Sequence, residues 1–385
     1  MSTVPVTLPR TPADATIGSR YRGCLLGGAV GDALGAPVEF MRRADILREF
    51  GRGGIQEFEP DYGRLGAITD DTQMTLFTAE GVLRAHVAER LGGERQPREA
   101  MALAYQRWLF TQGETHPLQA HCLDGWLLQQ RDLHAQRAPG TTCLSGLRSM
   151  TAPADLARND SKGCGGVMRV APIGLFLTSL DGPGAGPPTA SFTAAFDFGC
   201  VAAAITHGHP TGQLASGFLA ALVMRIVQGT GLADGIREVT ELLRSRARHQ
   251  ETLTAVELAT RLAAEGVDPV TAIEQLGGGW IAEEALAIGL YCALTAPDLR
   301  SGVIAAVNHD GDSDSTGSIA GQLLGAIHGE AAIPASWLAP LELRDVIAAV
   351  ADDLATVAGW NLDDEAERDF YVGRYPPPQK GARLE

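Results

Sequence analysis

Apolar residues along most of this chain recur at spacings of three and four, the period of an α-helix with one buried face. Sustained alternation of apolar and polar residues, which indicates a half-buried strand, is not found, and no Asn-Gly or Asp-Gly turn lies between β-branched runs. The pattern therefore predicts an all-α fold. It places helices at about 21–36, 70–90, 96–112, 211–229, 233–246, 252–265, 281–294 and 341–357.

The helical pattern continues from residue 19 to residue 365, which predicts one large domain. Residues 1–18 contain three prolines and little periodicity, and we expect them to form a flexible arm. Short apolar pieces alternate with Pro and Gly over residues 112–156, which predicts broken helices. Residues 181–190, DGPGAGPPTA, predict a surface loop, and residues 366–385, which end in RYPPPQKGARLE, predict an extended tail.

Two of the predicted helices carry glycine at every fourth position. Glycine costs about 1 kcal/mol relative to alanine inside a helix, so its repeated use needs a compensating reason. A stripe without side chains allows two helix backbones to approach closely. We therefore predict that these two helices pack against each other at the centre of the domain. The stripes are Gly23, Gly27, Gly31 and Gly35 in the first helix, and Gly317, Gly321, Gly325 and Gly329 in the helix after Asp314.

Two short acidic stretches each precede an apolar helix, one at residues 69–72 (TDDT) and one at residues 312–315 (DSDS). Each stretch taken alone fits a helix cap, because Asp, Ser and Thr are favoured at helix starts. If the two stretches lie together, about four carboxylates repel one another unless cations neutralise them. The candidate ligands are all hard oxygen donors, which favour Mg²⁺, Mn²⁺ or Ca²⁺ over zinc.

Glu39 follows the predicted end of the first helix at Pro37 and is flanked by Val38 and Phe40. An apolar environment there would raise the pKa of the Glu39 carboxyl, as in many acid–base catalysts. A solvent-facing loop glutamate is the alternative, because glutamate is seldom buried.

A glycine-rich loop and a histidine pair are further candidates for ligand binding. The loop lies within NDSKGCGGVMRVAPIGLF, residues 159–176, where several backbone N–H groups can point at one anion. Its lysine precedes the glycines, so it is not a Walker A loop. His207 and His209, in THGHP, fit a capping pair as well as a ligand contact. The loop candidates are Ser161, Lys162, Gly163, Gly165 and Gly166.

Composition and charge narrow the function classes. Apolar residues make up 45% of the chain and charged residues 20%, as in a globular protein with a sizeable core. The formal net charge of −15 argues against a general nucleic-acid binder, which needs a basic surface. The first residues lack the apolar core of a signal peptide, and no run suggests a membrane span, so we expect a cytoplasmic protein.

Six cysteines are scattered along the chain without a CxxC spacing, which favours reduced thiols over disulfides or a zinc site. Cys164 lies inside the glycine-rich loop, where it could suggest a nucleophile. No adjacent histidine pattern supports that role, so we interpret it as a small packed thiol.

Five stretches in a fixed order closely resemble the ADP-ribosylglycohydrolase family over about residues 19–330. The resemblance implies a compact all-α bundle of orthogonally packed helices with two Mg²⁺ ions in a cleft, and Mn²⁺ is a possible substitute. Members of the family hydrolyse the bond between ADP-ribose and a modified group. The stretches are GCLLGGAVGDALGAPVEF, GAITDDTQM, SKGCGGVMRVAP, ITHGHP and GDSDSTGSIAGQLLGA.

The resemblance also implies roles for particular residues. Glu39 is similar to the family's catalytic glutamate, the SKGCGG loop to its diphosphate and ribose site, and His207 to a ligand-contacting histidine. Ser315 stands where many relatives have threonine, and Cys164 replaces an asparagine found in some of them. The implied metal ligands are Thr69, Asp70, Asp71, Asp312, Asp314 and Ser315.

For the substrate, the resemblance implies an ADP-ribosylated protein or an ADP-ribose derivative, and the bacterial-type stretches RWLFTQGE and RAPGTTCLSGL favour arginine as the acceptor. Serine, O-acetyl-ADP-ribose and nucleic-acid adducts remain open, and we expect a monomer. Two other readings also stay open: an immunity or ADP-ribose-recognition module that counters an ADP-ribosyltransferase, and a metal-dependent phosphohydrolase that attacks the diphosphate.

Overall fold

Seventeen α-helices and one two-stranded hairpin make up most of the regular structure of residues 16–93, 96–181 and 191–377, which are the residues that this computed structural model describes. The all-α prediction is therefore confirmed. In chain order the helices are α1 (Ile17–Gly35), α2 (Arg43–Phe50), α3 (Asp70–Arg90), α4 (Pro97–Thr111), α5 (Thr141–Arg148), α6 (Ala171–Leu180), α7 (Phe192–Ala204), α8 (Pro210–Val227), α9 (Leu232–Arg244), α10 (Gln250–Ala264), α11 (Pro269–Leu276), α12 (Ala282–Thr295), α13 (Leu299–Val307), α14 (Ser313–His328), α15 (Ala335–Leu338), α16 (Arg344–Thr356) and α17 (Glu365–Arg374).

Short 3₁₀ turns and the hairpin fill several of the connections. Strand β1 (Pro60–Asp61) pairs antiparallel with β2 (Arg64–Leu65). Broken helices were predicted over residues 112–156, and the chain there forms three 3₁₀ turns followed by α5. In the described part of the chain, the 3₁₀ turns lie at Ala36–Val38, Pro117–His121, Leu127–Gln129, Arg131–Leu133, Cys164–Gly166, Glu330–Ala332 and Val357–Gly359.

Helices α1 and α14 pack directly against each other through their glycine stripes, as predicted. A Cβ atom added to Gly27 or Gly31 would lie closer than 3.0 Å to a backbone carbonyl of α14, a distance that real Cβ atoms essentially never show. Likewise, a Cβ atom added to Gly321 or Gly325 would lie closer than 3.0 Å to a backbone carbonyl of α1. Most residues of both helices are buried, because α12, α13 and α16 also pack around this pair.

Helix α8 is long and apolar enough, by length and composition, to cross a membrane, which differs from the absence of such a run expected from the sequence. Of its apolar window, 83% is buried inside the protein. It contacts α7, α6 and α9, so packing in the core accounts for its apolar character.

The chain ends differ from the sequence-based boundaries. Most of the predicted arm lies outside the described residues, but Ile17 and Gly18 already belong to α1, because the hydroxyl of Thr16 accepts a hydrogen bond from Ser19 N at 3.3 Å and caps the helix. The predicted loop at 181–190 lies outside the described residues apart from its first residue.

The extended tail predicted from residue 366 begins instead with helix α17, and only its last residues, 378–385, lie outside the described range. Aromatic contacts hold this helix in place. The ring of Tyr371 stacks on Trp360 at 3.7 Å, and the hydroxyl of the buried Tyr375 donates a hydrogen bond to Asp353 Oδ2 at 2.5 Å. The folded region therefore extends at least to Tyr375. All six cysteines are free, as expected for reduced thiols.

The contact between the glycine stripes can be tested with a substitution from glycine to alanine. Inside a helix this change usually raises stability, but here we expect it to lower stability. Gly27→Ala adds a methyl group where the α14 backbone lies, so we expect the free energy of unfolding to fall by about 1–3 kcal/mol, although alanine is the better helix former. Gly18→Ala, in the same helix, meets nothing within 4 Å and is the matched control. Urea unfolding of both variants measures the difference, and equal stability of the two would contradict the backbone contact.

Candidate metal centre and active site

The first turns of α3 and α14 meet, although about 240 residues separate them in sequence. The Ser315 hydroxyl donates a hydrogen bond to Asp71 Oδ2 at 3.3 Å, which links the two turns directly. Both turns also cap their own helices. The Thr69 hydroxyl accepts a hydrogen bond from Asp71 N, and the Asp312 carboxylate accepts one from Ser315 N. Capping and site formation are thus compatible here. The two turns contain all six predicted metal ligands, Thr69, Asp70, Asp71, Asp312, Asp314 and Ser315.

Asp32, which the sequence analysis did not single out, organises the first turn of α3. It lies on α1 with no exposed surface and accepts hydrogen bonds from Thr69 N at 3.0 Å and from Thr69 Oγ1 at 2.8 Å. The amide and hydroxyl of Thr72 also donate to it. Its position within the apolar run GGAVGDALG could have identified it from the sequence, because an aspartate in a fully buried helix is rare.

Glu39 lies beside the start of α14, because the 3₁₀ turn Ala36–Val38 carries the chain from the end of α1 toward it. Ligand oxygens of Glu39, Asp312 and Asp314 lie within 4.8 Å of one another. Only 8% of Glu39 is exposed, so it is not a solvent-facing loop residue. Of its two apolar sequence neighbours, Val38 is buried, whereas Phe40 is 75% exposed and does not form the expected apolar wall.

The acidic cluster is defined here as six buried carboxylic acids: Asp32, Glu39, Asp70, Asp71, Asp312 and Asp314. Burial, and after it the charge of Asp314, raises the pKa of Glu39 to about 10 and that of Asp32 to about 7. Burial also raises the pKa of the other four carboxyls. Without a compensating cation, the cluster therefore retains protons at neutral pH.

Two fully buried oxygens of the acidic cluster have no hydrogen-bond partner, Glu39 Oε2 and Asp71 Oδ1. Among the described residues, no lysine or arginine forms an ion pair with any of the six acids. The nearby Arg169 stacks over Tyr105 at 4.3 Å and donates to Thr206 Oγ1 at 2.7 Å. Unpaired buried oxygens and an all-oxygen donor set fit a hard divalent cation.

The glycine-rich loop lies against the acidic cluster. Gly163 forms an isolated bridge with Ile281, and Cys164 N donates to the carbonyl of Trp280 at 3.2 Å, so the loop is fixed to the start of α12. The Cys164 thiol donates to Asp312 Oδ2 at 2.8 Å. Cys164 is therefore a packed thiol at the edge of the candidate metal centre, and burial raises its pKa well above the usual value.

Lys162, predicted to add positive charge to an anion site, already has two acidic partners. Its ammonium group pairs with Glu251 at 2.6 Å and with Glu283. The neighbouring Ser161 hydroxyl shares a hydrogen bond with Thr142 Oγ1 at 2.9 Å. Backbone groups of the loop, rather than the charge of Lys162, are thus the stronger candidates for contact with an anion.

His207 lies beneath the glycine-rich loop and is 1% exposed. A Cβ atom added to Gly165 would lie 3.3 Å from Cε1 of its ring, so glycine leaves room for the imidazole. Nδ1 of His207 hydrogen-bonds with Thr206 Oγ1 at 2.8 Å. Burial, followed by the charge of Arg169, lowers the pKa of His207 to about 3, so the ring is neutral. His209 caps α8, its Nδ1 accepting from Thr211 N.

The raised pKa values predict how the metal-free protein responds to pH. Asp32 and Glu39 titrate near 7 and 10 in the folded protein against ordinary values of 3.8 and 4.5, so the folded state binds protons more tightly than the unfolded chain. Their contribution to stability is present below about pH 4 and is lost as the pH rises through 7 and toward 10. In EDTA, we expect the melting temperature to be lower at pH 8 than at pH 5.

Removing one charge tests whether this pH dependence of the melting temperature comes from the acidic cluster or from repulsion among all the acidic residues of the protein. Asp71→Asn should raise the melting temperature of the metal-free protein at pH 8, because it removes a buried charge with an unpaired oxygen, and should weaken stabilisation by added divalent cation. The exposed Asp363→Asn, which removes the same charge from the surface, is the control. Identical pH profiles for both variants would contradict the account.

Sequence and structure comparisons place these features among known proteins. ADP-ribosyl-[dinitrogen reductase] glycohydrolase of Rhodospirillum rubrum is 27% identical over 346 residues, covering 86% of this chain and 92% of that protein. ADP-ribosylhydrolase ARH3 of Bos taurus is 26% identical over 368 residues, covering 83% and 86%. A solved structure described as an ADP-ribosylglycohydrolase-related protein complex is 25% identical, with a TM-score of 0.61, and covers 89% of this chain and 99% of that one.

The sequence profile of ADP-ribosylglycohydrolases matches residues 13–363, which span α1 to α16 and all of the acidic cluster. The match therefore includes both helix starts, the turn that carries Glu39 and the glycine-rich loop. With most of its length matched, this chain belongs to the ADP-ribosylglycohydrolase family and is a glycosidase that acts on ADP-ribosylated substrates.

Proposed function

We propose that this protein is a magnesium-dependent hydrolase that cleaves the glycosidic bond between ADP-ribose and a protein side chain, with arginine as the favoured acceptor. One observation carries the proposal: Glu39 has an unpaired carboxyl oxygen, and its carboxylate lies within 4.8 Å of those of Asp312 and Asp314. A group able to transfer a proton is thus held beside donors for a divalent cation.

The first turns of α3 and α14 would hold two magnesium ions, through Thr69, Asp70 and Asp71 on one side and Asp312, Asp314 and Ser315 on the other. Their oxygen atoms suit Mg²⁺, and Mn²⁺ fits the same donors. Bound magnesium would supply Lewis-acid polarisation of the ribose hydroxyls and neutralise the acidic cluster. Asp32 would act indirectly, because its hydrogen bonds to Thr69 and Thr72 fix the turn that carries the ligands.

Glu39 is the residue positioned to move a proton in this reaction. Hydrolysis breaks the bond from C1′ of the ribose to the acceptor atom, and the oxygen of a water molecule takes its place at C1′. The departing acceptor gains one proton, and the water loses one. A carboxyl group that is buried and otherwise unpaired can donate the first proton and accept the second.

The glycine-rich loop and His207 would bind the diphosphate and the adjoining ribose. Gly163 and Gly165 keep side chains out of the space above the His207 ring, and the loop lies within contact of the acidic cluster through Cys164. Glu251 and Glu283 offset the charge of Lys162, so a dianionic diphosphate relies on backbone amides and on bound cations for compensation.

Support for arginine as the acceptor comes from Phe40, which follows Glu39 in the chain and whose exposed aromatic ring stacks on that of Trp280. A guanidinium group is planar and delocalised, and it stacks favourably on such faces. A serine acceptor or an acetyl group has no comparable surface to present.

Release of free ADP-ribose tests the function. The purified protein with Mg²⁺ and an arginine-ADP-ribosylated protein should release ADP-ribose, and the release should stop in EDTA and with Asp314→Ala. Glu39→Gln should lower kcat by about 10²–10⁴-fold, while ADP-ribose still binds, because only proton transfer is lost. Glu49→Gln, an exposed glutamate on α2, is the control. Mass spectrometry identifies the products.

The same assay separates the other readings. AMP as the product would indicate attack on the diphosphate, and binding of ADP-ribose without any product from arginine-linked, serine-linked or O-acetyl substrates would indicate a recognition module. Either result would overturn the proposed hydrolase.

A further inference from the structure

Arg169, a fully buried arginine just before α6, has no acidic partner. In the part of the chain that the structure describes, no carboxylate forms an ion pair with its guanidinium group. Arg107, which is buried to a similar degree, pairs with Glu80 at 2.7 Å. A buried charge without a counter-ion is costly, so the presence of Arg169 at this position needs a compensating reason.

The acceptors around Arg169 are neutral, and two of them are weak. Nη1 donates hydrogen bonds to Cys143 Sγ at 3.3 Å and to Met74 Sδ at 3.4 Å, and sulfur is a poor acceptor. Nη2 donates to the carbonyl of Ala202 at 3.1 Å, and Nε has no partner. None of these groups neutralises the guanidinium, so its charge remains available to polarise its remaining partner, Thr206.

A short chain of hydrogen bonds runs from Arg169 through Thr206 to His207. Nη2 of Arg169 donates to Thr206 Oγ1 at 2.7 Å, and the same oxygen lies 2.8 Å from Nδ1 of His207. Thr206 and His207 follow the end of α7, and both are buried, which keeps these hydrogen bonds away from bulk water. We call the first two members of the chain the Arg169–Thr206 relay.

The donor and acceptor capacity of each group determines where the protons lie. A guanidinium group has no acceptor, so Arg169 donates to the Thr206 oxygen. The Thr206 hydroxyl then has one hydrogen to donate, and Nδ1 of His207 is closer to it, at 2.8 Å, than the carbonyl of Ala203, at 3.5 Å. Nδ1 is therefore the acceptor, and because the ring is neutral, its proton lies on Nε2.

Nε2 of His207 lies against the glycine-rich loop. A Cβ atom added to Gly163 would lie 3.5 Å from Nε2, and one added to Gly165 would lie 3.6 Å from it. No residue in the described ranges hydrogen-bonds with this nitrogen. Its N–H is thus a free donor beside the backbone that the proposed function assigns to the diphosphate. With the proton on Nδ1 instead, a lone pair would face the anion and repel it.

We propose that the Arg169–Thr206 relay holds the proton of His207 on Nε2, so that this N–H donates a hydrogen bond to the diphosphate of the substrate. The inference rests on the proposed hydrolase function and adds two positioning residues to its diphosphate site. Arg169 acts through its charge, which polarises the Thr206 hydroxyl and strengthens the donor at the far end of the chain. It supplies positive charge that Lys162, already paired with two glutamates, does not.

Nuclear magnetic resonance reads the tautomer directly on the protein without substrate. Long-range ¹H–¹⁵N correlations of ¹⁵N-histidine-labelled protein should show His207 as a neutral ring protonated on Nε2. The loss of one set of signals in His207→Asn identifies this ring among the nine histidines. Thr206→Ser, which keeps the hydroxyl, should retain the tautomer, whereas Thr206→Val, which removes the hydroxyl, should give a mixture.

The affinity for ADP-ribose measures what the relay contributes to binding. In Mg²⁺, Thr206→Val should weaken ADP-ribose binding by about three- to tenfold, the value of one hydrogen bond, and Thr206→Ser should restore it. On arginine-ADP-ribosylated substrate, KM should rise while kcat stays within about twofold, because the relay moves no proton in the reaction. Thr178→Val is the matched control, since it removes a buried hydroxyl that donates to the Gly174 carbonyl within α6 at 2.8 Å.

A double-mutant cycle tests whether Arg169 acts through Thr206. Arg169→Met keeps an unbranched side chain without the charge, and it should weaken ADP-ribose binding at least as much as Thr206→Val. The protein with both substitutions should bind ADP-ribose no more weakly than Arg169→Met alone, because both remove the same relay. Additive losses would show two independent contributions and would contradict the relay.

Two further results would overturn the inference. One is a wild-type His207 that carries its proton on Nδ1, a measurement that needs no variant. The other is an ADP-ribose affinity of Thr206→Val equal to that of the Thr178→Val control. Failure of the proposed function looks different: the wild-type protein would bind ADP-ribose but release none from its substrates, and neither the tautomer nor the affinity depends on that release.

Discussion

Repulsion among six buried carboxylates is the constraint on which the rest of this structure depends. Two such charges about 4 Å apart repel by roughly 4 kcal/mol at an effective dielectric constant near 20. In the acidic cluster, ligand oxygens of Glu39, Asp312 and Asp314 lie within 4.8 Å of one another. A folded chain keeps acids this close only if other contacts hold their backbones in place and a cation or protons offset the charge. The raised pKa values and the unpaired oxygens of Glu39 and Asp71 are consequences of that arrangement.

The glycine contact between α1 and α14 supplies the rigid support. At its end, a Cβ atom on Gly35 would clash with the backbone of Ser313, so the end of one helix touches the start of the other. Glu39, four residues beyond Gly35, and Asp314, in the first turn of α14, are thereby brought to the same place. Glycine periodicity, which weakens both helices taken alone, thus positions the candidate catalytic and metal-binding groups.

Sequence reasoning captured the features that local pattern determines. The glycine stripes predicted the central contact, and the two acidic turns could be recognised because each stands before an apolar helix. Asp32 was missed because its importance comes from hydrogen bonds to Thr69 and Thr72, which a linear pattern does not show. The ion pairs of Lys162 were invisible for the same reason: Glu251 lies far along the chain. Helix α17 was read as a tail because aromatic contacts with Trp360, not helix propensity, hold it in place.

Calorimetric titration of the metal-free protein with Mg²⁺ tests the central claim most directly, because it counts both ions and protons. At pH 6, in buffers of different ionisation enthalpy, the account predicts saturable binding of about two ions per chain with release of protons from the acidic cluster. Loss of both signals in Asp314→Ala should accompany this result. If Mg²⁺ and Mn²⁺ bind without releasing protons, or do not bind at all, the six acids are not a metal centre and the account is wrong.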